Sequence, residues 1–190
     1  IYAHFKSIAE STNLDIIIYN IPYRTGVNIN NDTVHRLAEI DNIVGIKDAS
    51  GDFKTSLNLL MNPPKNFSIL TGEDILFYTT LTLGGQGGIM ASAHLKTELF
   101  VDVYNKVQNR QLDEAMESWK QLYDFIPLLF MEPNPAPIKY CLKNLGLIES
   151  SEVRLPLTQI SDGLKQKLDQ FFPASVAKQE CDILQQAMTA

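Results

Sequence analysis

N-I-V-G-I-K-D-A-S-G, residues 42–51, is an apolar, β-branched run that ends on a lysine and then breaks into turn formers. A run of this length and composition reads as a buried strand. Side chains alternate across a strand, so Ile43, Gly45 and Lys47 are expected on one face and Val44, Ile46 and Asp48 on the other. Lysine at the carboxyl edge of a buried strand is costly unless paired or used. An ammonium moved from water into an apolar pocket loses hydration and gives up its proton more readily, and the neutral amine attacks carbonyls. A strand-end lysine whose head reaches water is the commoner case, so the neighbouring sequence has to decide.

Outward from this strand the pattern is regular. Ile1, Phe5 and Ile8 fall on one helical stripe at the start of the chain. The chain therefore opens, without methionine, inside a helix, as a portion of something longer would. Residues 14–20 (L-D-I-I-I-Y-N) read as a strand broken by Pro22, which cannot donate to a ladder and biases Ile21 to an extended shape. Asn31 or Asp32 is positioned to cap a helix through Val34, Leu37 and Ile40. After the Lys47 strand, Ser50 and Asp52 offer caps for a helix with Leu57, Leu60 and Met61 on its apolar side. Residues 67–70 form a third strand, a helix follows over about 74–83, and I-M-A-S (89–92) is expected as a fourth strand. Strand–helix alternation in units of this length implies parallel strands with right-handed crossovers. Both an open doubly wound sheet and part of a (β/α)8 barrel fit.

Beyond Thr97 the spacing is helical over 99–107, 112–130 and 138–145, with the turn E-P-N-P-A-P before Pro137, a residue suited to a first helical position. Ser161 caps a last amphipathic helix carrying Leu164, Leu168, Phe171 and Phe172. The expected organisation is a β/α portion over 1–97, a helical region over 98–172 and a tail over 173–190.

Composition narrows the function. The 190 residues carry a net charge of −6 with 20% charged and 45% hydrophobic residues, an ordinary globular balance with no basic surface for nucleic acid or anionic membrane. No apolar run is long enough to span a bilayer, and no charged-then-apolar leader opens the chain. Cys141 and Cys181 are read as reduced thiols of a cytoplasmic protein. His4, His35 and His94 are scattered, none at a metal-ligand spacing, so no metal site is expected.

Three polar residues converge. Tyr19 closes one strand, Arg24 sits in the loop after it, and Lys47 closes the next. Parallel α/β proteins build their sites at these carboxyl ends. An amine nucleophile, a phenolic proton carrier and a bidentate carboxylate binder suit a Schiff-base enzyme acting on a 2-oxo acid. The segment G-G-Q-G-G (84–88) does not complete a G-x-G-x-x-G motif and is expected before a strand, so a close backbone approach explains it better than a phosphate loop. Glu73-Asp74 are read as helix-cap and dipole-matching carboxylates.

Together, Y-N-I-P-Y-R-T-G (19–26), G-I-K-D-A-S-G-D (45–52), T-G-E-D (71–74) and G-G-Q-G-G-I (84–89) resemble the dihydrodipicolinate synthase family. That family belongs to the N-acetylneuraminate lyase superfamily of class I aldolase-like (β/α)8 barrels. The 28-residue separation of Tyr19 and Lys47 matches it (47 − 19), and E-P-N-P-A-P-I-K-Y-C-L with R-L-P-L-T resembles its C-terminal helices. The likeness runs from residue 1 to about 172. It implies that Lys47 forms a Schiff base with pyruvate and that Tyr19 relays protons. It further implies that Arg24 binds the carboxylate of aspartate semialdehyde, that Gly72 lines the pocket and that Ile89 offers a backbone carbonyl. It also implies a cytoplasmic homo-oligomer, dimer or tetramer, needing no cofactor or metal.

The family has four earlier strand–helix units, with a G-T-T-G-E-type carboxylate loop and a second tyrosine, and no such motif occurs here. The chain therefore reads as the last four barrel units plus the C-terminal helices, inactive alone. An incomplete sequence, a proteolysed enzyme or completion by a partner would each account for this. Three other readings compete: a lyase for N-acetylneuraminate or a 2-keto-3-deoxy sugar acid, a non-catalytic half-barrel interaction protein, and an open-sheet nucleotide binder.

Overall fold

The computed structural model describes residues 1–172; the expected tail over 173–190, with Cys181, lies outside the described residues. Four strands, β1 (Ile16–Asn20), β2 (Ile43–Asp48), β3 (Ser68–Thr71) and β4 (Gly87–Gly88), pair in parallel in the order β1-β2-β3-β4. A doubly wound sheet reverses its strand order at a switch point, whereas successive barrel strands lie side by side. The sequential order therefore selects the barrel, and the sheet is a four-stranded portion of one.

The helices of this part are α1 (Tyr2–Glu10), a single turn α2 (Pro22–Thr25), α3 (Asn31–Leu37), α4 (Phe53–Met61) and α5 (Phe77–Thr82). Ile18, Ile46 and Ile69 occupy one register row and are at most 4% exposed. They pack in one core cluster with Ala9 of α1, Val34 and Leu37 of α3, and Leu59 and Leu60 of α4. Tyr19, Lys47, Leu70 and Gly87 form the next row. Alternation turns that row's side chains to the opposite face, away from the helices.

The alternation is broken once. Ile16 pairs with Ile43 but Ile17 pairs with Gly45, so Val44 is an extra residue, a β-bulge. A bulge resets which face the following residues occupy. This corrects the simple reading of 42–51, because Ile43 joins Ile46 in the helix-covered core rather than sharing a face with Lys47.

Other boundaries differ for identifiable reasons. Asn30, not Asn31 or Asp32, caps α3, accepting from the Thr33 amide at 2.9 Å. Asn31 instead donates to the Thr55 carbonyl of α4 at 3.1 Å, and Asp32 lies in the first turn, where the helix dipole favours it. Asp52 caps α4, accepting from the Lys54 and Thr55 amides at 3.1 and 3.2 Å. The Thr55 hydroxyl also donates to Asp52, at 2.5 Å, and together these bonds hold its carboxyl below its ordinary value, the hydroxyl contributing most. On α4, Leu59 is buried, whereas Met61 faces solvent. The expected helix over 74–83 begins as a 3₁₀ turn (Asp74–Leu76) before α5.

The fourth strand is Gly87–Gly88, not 89–92. Gln86 fastens it to β3: its backbone amide donates to the Ile69 carbonyl at 3.0 Å, and its side-chain oxygen accepts from the Ile69 amide at 2.7 Å. Gly85 is needed for that approach, since a Cβ there would lie 2.4 Å from Thr80 Cγ2 and 2.8 Å from the Thr80 carbonyl.

The chain forms two compact units: residues 1–90 with 104–115, and residues 91–103 with 116–172 of the described chain. The helices beyond the sheet are α6 (Thr97–Gln108), α7 (Leu112–Tyr123), α8 (Ala136–Asn144) and α9 (Asp162–Asp169). The expected helix over 112–130 ends at Tyr123. Pro127 cannot donate to the Tyr123 carbonyl four residues back, and its ring clashes there. A 3₁₀ turn (Pro127–Phe130) follows. Ser161 caps α9, accepting from the Leu164 amide at 3.3 Å. In the second unit Phe125 packs against Phe171 and Phe172 with centroids 6.3 and 5.7 Å away. Lys96 places its ammonium over the Phe125 and Phe172 rings at 5.5 and 5.7 Å. Burial pushes the Cys141 thiol up to about 12, with Asp169 adding to the effect, so it stays protonated and unreactive. Among the described residues no helix is long and apolar enough to cross a membrane.

Ile46 is 1% exposed at the centre of the sheet–helix layer. Ile46→Ala should cost about 2–5 kcal/mol in chemical denaturation, the range for a large core truncation. A loss within the few tenths typical of surface changes would show that this layer is not the core.

Candidate active site

Every residue singled out from the sequence lies at the carboxyl edge of the sheet or just beyond it. Tyr19 and Lys47 are the penultimate residues of β1 and β2, paired directly across the ladder. Gly72 follows β3, Ile89 follows β4, and Arg24 lies in α2 after β1. Parallel pairing sets this geometry, because equal positions on neighbouring parallel strands lie side by side.

Lys47 extends its ammonium over the Tyr19 ring, with Nζ 4.0 Å from the centroid. A cation stacked on an aromatic face is held electrostatically as well as by packing. The lysine stem rests on Gly72, where a Cβ would lie 2.8 Å from Lys47 Cε, 3.1 Å from its Cγ and 2.9 Å from Ala49 Cβ. Gly72 is thus the floor against which the lysine lies, with space for hydrogen and nothing larger. Tyr19 is 44% exposed, so the pair faces open space and not a sealed core.

Arg24 is occupied locally. Its guanidinium carbon lies 5.3 Å from the Tyr23 ring centroid and its Nε donates to the Tyr23 hydroxyl at 3.4 Å. Ile89 is 46% exposed, and its amide donates to the Thr71 carbonyl at 2.9 Å, continuing the β3–β4 pairing past the strand end.

Behind the Tyr19–Lys47 row lies a polar cluster that the sequence reading passed over. Asn20 is 3% exposed; its amide donates to Asn28 Oδ1 at 2.9 Å and to Asp48 Oδ1 at 3.5 Å, and its oxygen accepts from the Ile29 amide at 3.2 Å. Asp48 also accepts from the Ser50 amide at 3.1 Å and from the Ser56 hydroxyl. The available signal was two polar residues in the helix-facing register of otherwise apolar strands, each one step beyond a singled-out residue.

Glu73 does not serve as expected either. It occupies the cap position of the 3₁₀ turn but makes no side-chain cap bond, and Asp74 is buried. Partial burial pushes the Glu73 carboxyl up from its ordinary value, and the nearby Asp74 and Asp48 carboxylates push it the same way.

Two outcomes follow for this edge. Gly72→Ala should leave the fold intact but displace the Lys47 side chain, changing its rate of modification by an amine-selective reagent by about 10-fold, a modest misplacement penalty; unchanged modification rates in competition labelling would refute the floor role. Glu73 has a folded-state value above its unfolded one, so folding penalises its ionised form and stability is lost as pH rises through the folded value. Glu73→Gln should therefore raise the melting temperature at pH 7, with the gain shrinking at pH 4. An equal shift at both pH values would show that ionisation is not the cause.

A family model described as the dihydrodipicolinate synthetase family matches residues 1–174. The chain is 64% identical over 171 residues to 4-hydroxy-tetrahydrodipicolinate synthase 2 of Clostridium acetobutylicum, covering 90% of this chain and 60% of that one. It is 38% identical over 168 residues to the 4-hydroxy-tetrahydrodipicolinate synthase of Archaeoglobus fulgidus, covering 88% and 58%. Among solved structures it resembles the chloride-inhibited dihydrodipicolinate synthase from Acinetobacter baumannii complexed with pyruvate. That match has a TM-score of 0.86 and 34% identity, over 93% of this chain and 60% of the other. The chain thus spans about 60% of the length of the curated relatives it matches. Matched by the family model over all of its described length, this chain belongs to the dihydrodipicolinate synthetase family.

Proposed function

We propose that this chain carries the Schiff-base centre of a lyase that condenses pyruvate with aspartate semialdehyde in lysine and diaminopimelate biosynthesis. The observation that carries the reading is the Lys47 ammonium lying 4.0 Å above the Tyr19 ring at the carboxyl edge of a parallel sheet, in a chain of this family.

In this reading the neutral Lys47 amine attacks the ketone carbon of pyruvate, and loss of water from the carbinolamine gives an iminium. The iminium draws electrons from the methyl group, which loses a proton and becomes an enamine carbon. Tyr19, touching the lysine head, carries the protons of these steps. The enamine carbon adds to the aldehyde, and attack of the substrate's own amine on the iminium closes the ring and frees Lys47. Arg24, after turning from Tyr23, binds the semialdehyde carboxylate in a bidentate pair. Gly72 and the Ile89 carbonyl border the bound pyruvate. No metal or organic cofactor takes part.

The layout that suits this reading is a β/α portion over 1–97 and a helical region over 98–172, in a cytoplasmic homo-oligomer. Ile17 and Tyr19 are each more than two-fifths exposed on the sheet face away from the helices. Further strands closing a barrel would cover that face.

The test is the intact mass of the gene product that carries these residues, after borohydride reduction with and without pyruvate. One reduced pyruvate on Lys47 is expected, absent in Lys47→Arg; Tyr19→Phe should slow turnover by about 10²–10⁴, the usual worth of a positioned proton carrier. No adduct, or an adduct on another lysine, overturns the reading. Turnover of sugar acids in place of the semialdehyde would move the assignment to another lyase of the superfamily.

A further inference from the structure

Asn20 and Asp48 each follow a site residue in the chain and point to the opposite face of the sheet, toward the helices. From the bonds that join them we infer that they are positioning residues, a polar clamp that holds Tyr19 and Lys47 side by side; the inference rests on the Schiff-base reading above.

The clamp reaches the segments that follow both strands. Asn20 holds the loop after α2 through Asn28 and the Ile29 amide. Asp48 holds the turn into α4 through the Ser50 amide, and α4 itself through Ser56. The two side chains meet at 3.5 Å, beside the backbone bond from the Ala49 amide to the Asn20 carbonyl at 2.9 Å. The Gly72 amide, from the residue on which the lysine stem rests, donates to the Asp48 carbonyl at 2.6 Å. A displacement of Asp48 therefore moves the backbone of Lys47 and the floor beneath its side chain together.

Core burial alone does not call for these residue types. One step earlier on each strand the same face holds Ile18 and Ile46. A buried amide such as Asn20 or a part-buried carboxylate such as Asp48 needs its partners satisfied, and an apolar residue of similar volume would serve the fold as well or better. What hydrogen bonds add is a fixed separation between strand ends that would otherwise fray. A reacting pair misplaced by about 1 Å can lose about 100-fold in rate.

The experiment uses the intact gene product and follows the rate of borohydride-trapped pyruvate adduct on Lys47, at saturating pyruvate and across pH, with melting temperature alongside. Asp48→Ala should slow adduct formation by about 10–100-fold without displacing the pH profile. Asp48→Asn, which keeps an acceptor for Ser50 and Asn20 and offers a donor to Ser56, should recover the rate to within a few-fold. Where Asp48→Ala does not fold, Ser56→Ala removes one hydroxyl from the cluster and should slow the step several-fold. A wild-type rate in Asp48→Ala or in Ser56→Ala, equal loss in Asp48→Ala and Asp48→Asn, or a displaced pH profile overturns the clamp. Absence of any adduct in the unaltered protein is a different result, which removes the Schiff-base reading and the clamp with it.

Discussion

The register of β2 against β1 is the constraint on which the rest depends. Ile18 opposite Ile46, and Ile46 opposite Ile69, is an apolar row that has somewhere to go only under the helices. Each fully buried side chain of this kind is worth about 1.5–3 kcal/mol. A one-residue slip would turn the row outward and carry Lys47 into the apolar layer. Core burial thus fixes the register, and the register sets Tyr19 against Lys47. The placement of the pair is a consequence of where the isoleucines must lie.

Register alone brings two Cα atoms together; it does not orient a lysine. A lysine side chain loses up to about 1.5–2 kcal/mol of rotamer freedom when ordered. Here the Tyr19 ring meets its ammonium and Gly72 meets its stem. The first contact is attractive and the second is purely steric, so they constrain different parts of the same chain. The low contour at Gly72 comes from the T-G-E-D turn, whose Thr71 hydroxyl accepts from the Glu73 amide and donates to the Glu73 carbonyl, both at 3.0 Å. The third strand thereby shapes a site whose reactive groups sit on the first two.

This division explains what the sequence made legible. Alternating apolar segments and turn formers revealed β1, β2 and β3, and the site residues stood out as polar groups at strand ends. The Val44 bulge was invisible, because one extra β-branched residue leaves an apolar run looking unbroken. β4 was misplaced because it is made of glycines, and its pairing is backbone to backbone with Gln86 standing in for a neighbour; hydrophobic pattern has nothing to mark there. Pro127 was a readable stop that a strong helical spacing on both sides obscured. Asn20 and Asp48 carried a signal only in their facing, which needs the register before it can be read.

The charges around the site follow from the same facing. The lysine head occupies the open side of the sheet, whereas Asn20 and Asp48 lie on the helix side. A carboxylate left bare beside an amine would hold the ammonium by direct attraction. Asp48 instead accepts from the Ser50 amide, the Ser56 hydroxyl and the Asn20 amide. Its charge is spread over three donors behind the strand. Glu73 shows the alternative: partial burial, with two other carboxylates close by, pushes its carboxyl up from its ordinary value. One carboxylate is engaged by donors on the helix side, and its neighbour's carboxyl is pushed up by burial. Strand alternation thereby gives the bonded carboxyl group a structural task while leaving the opposite face to the amine and the phenol.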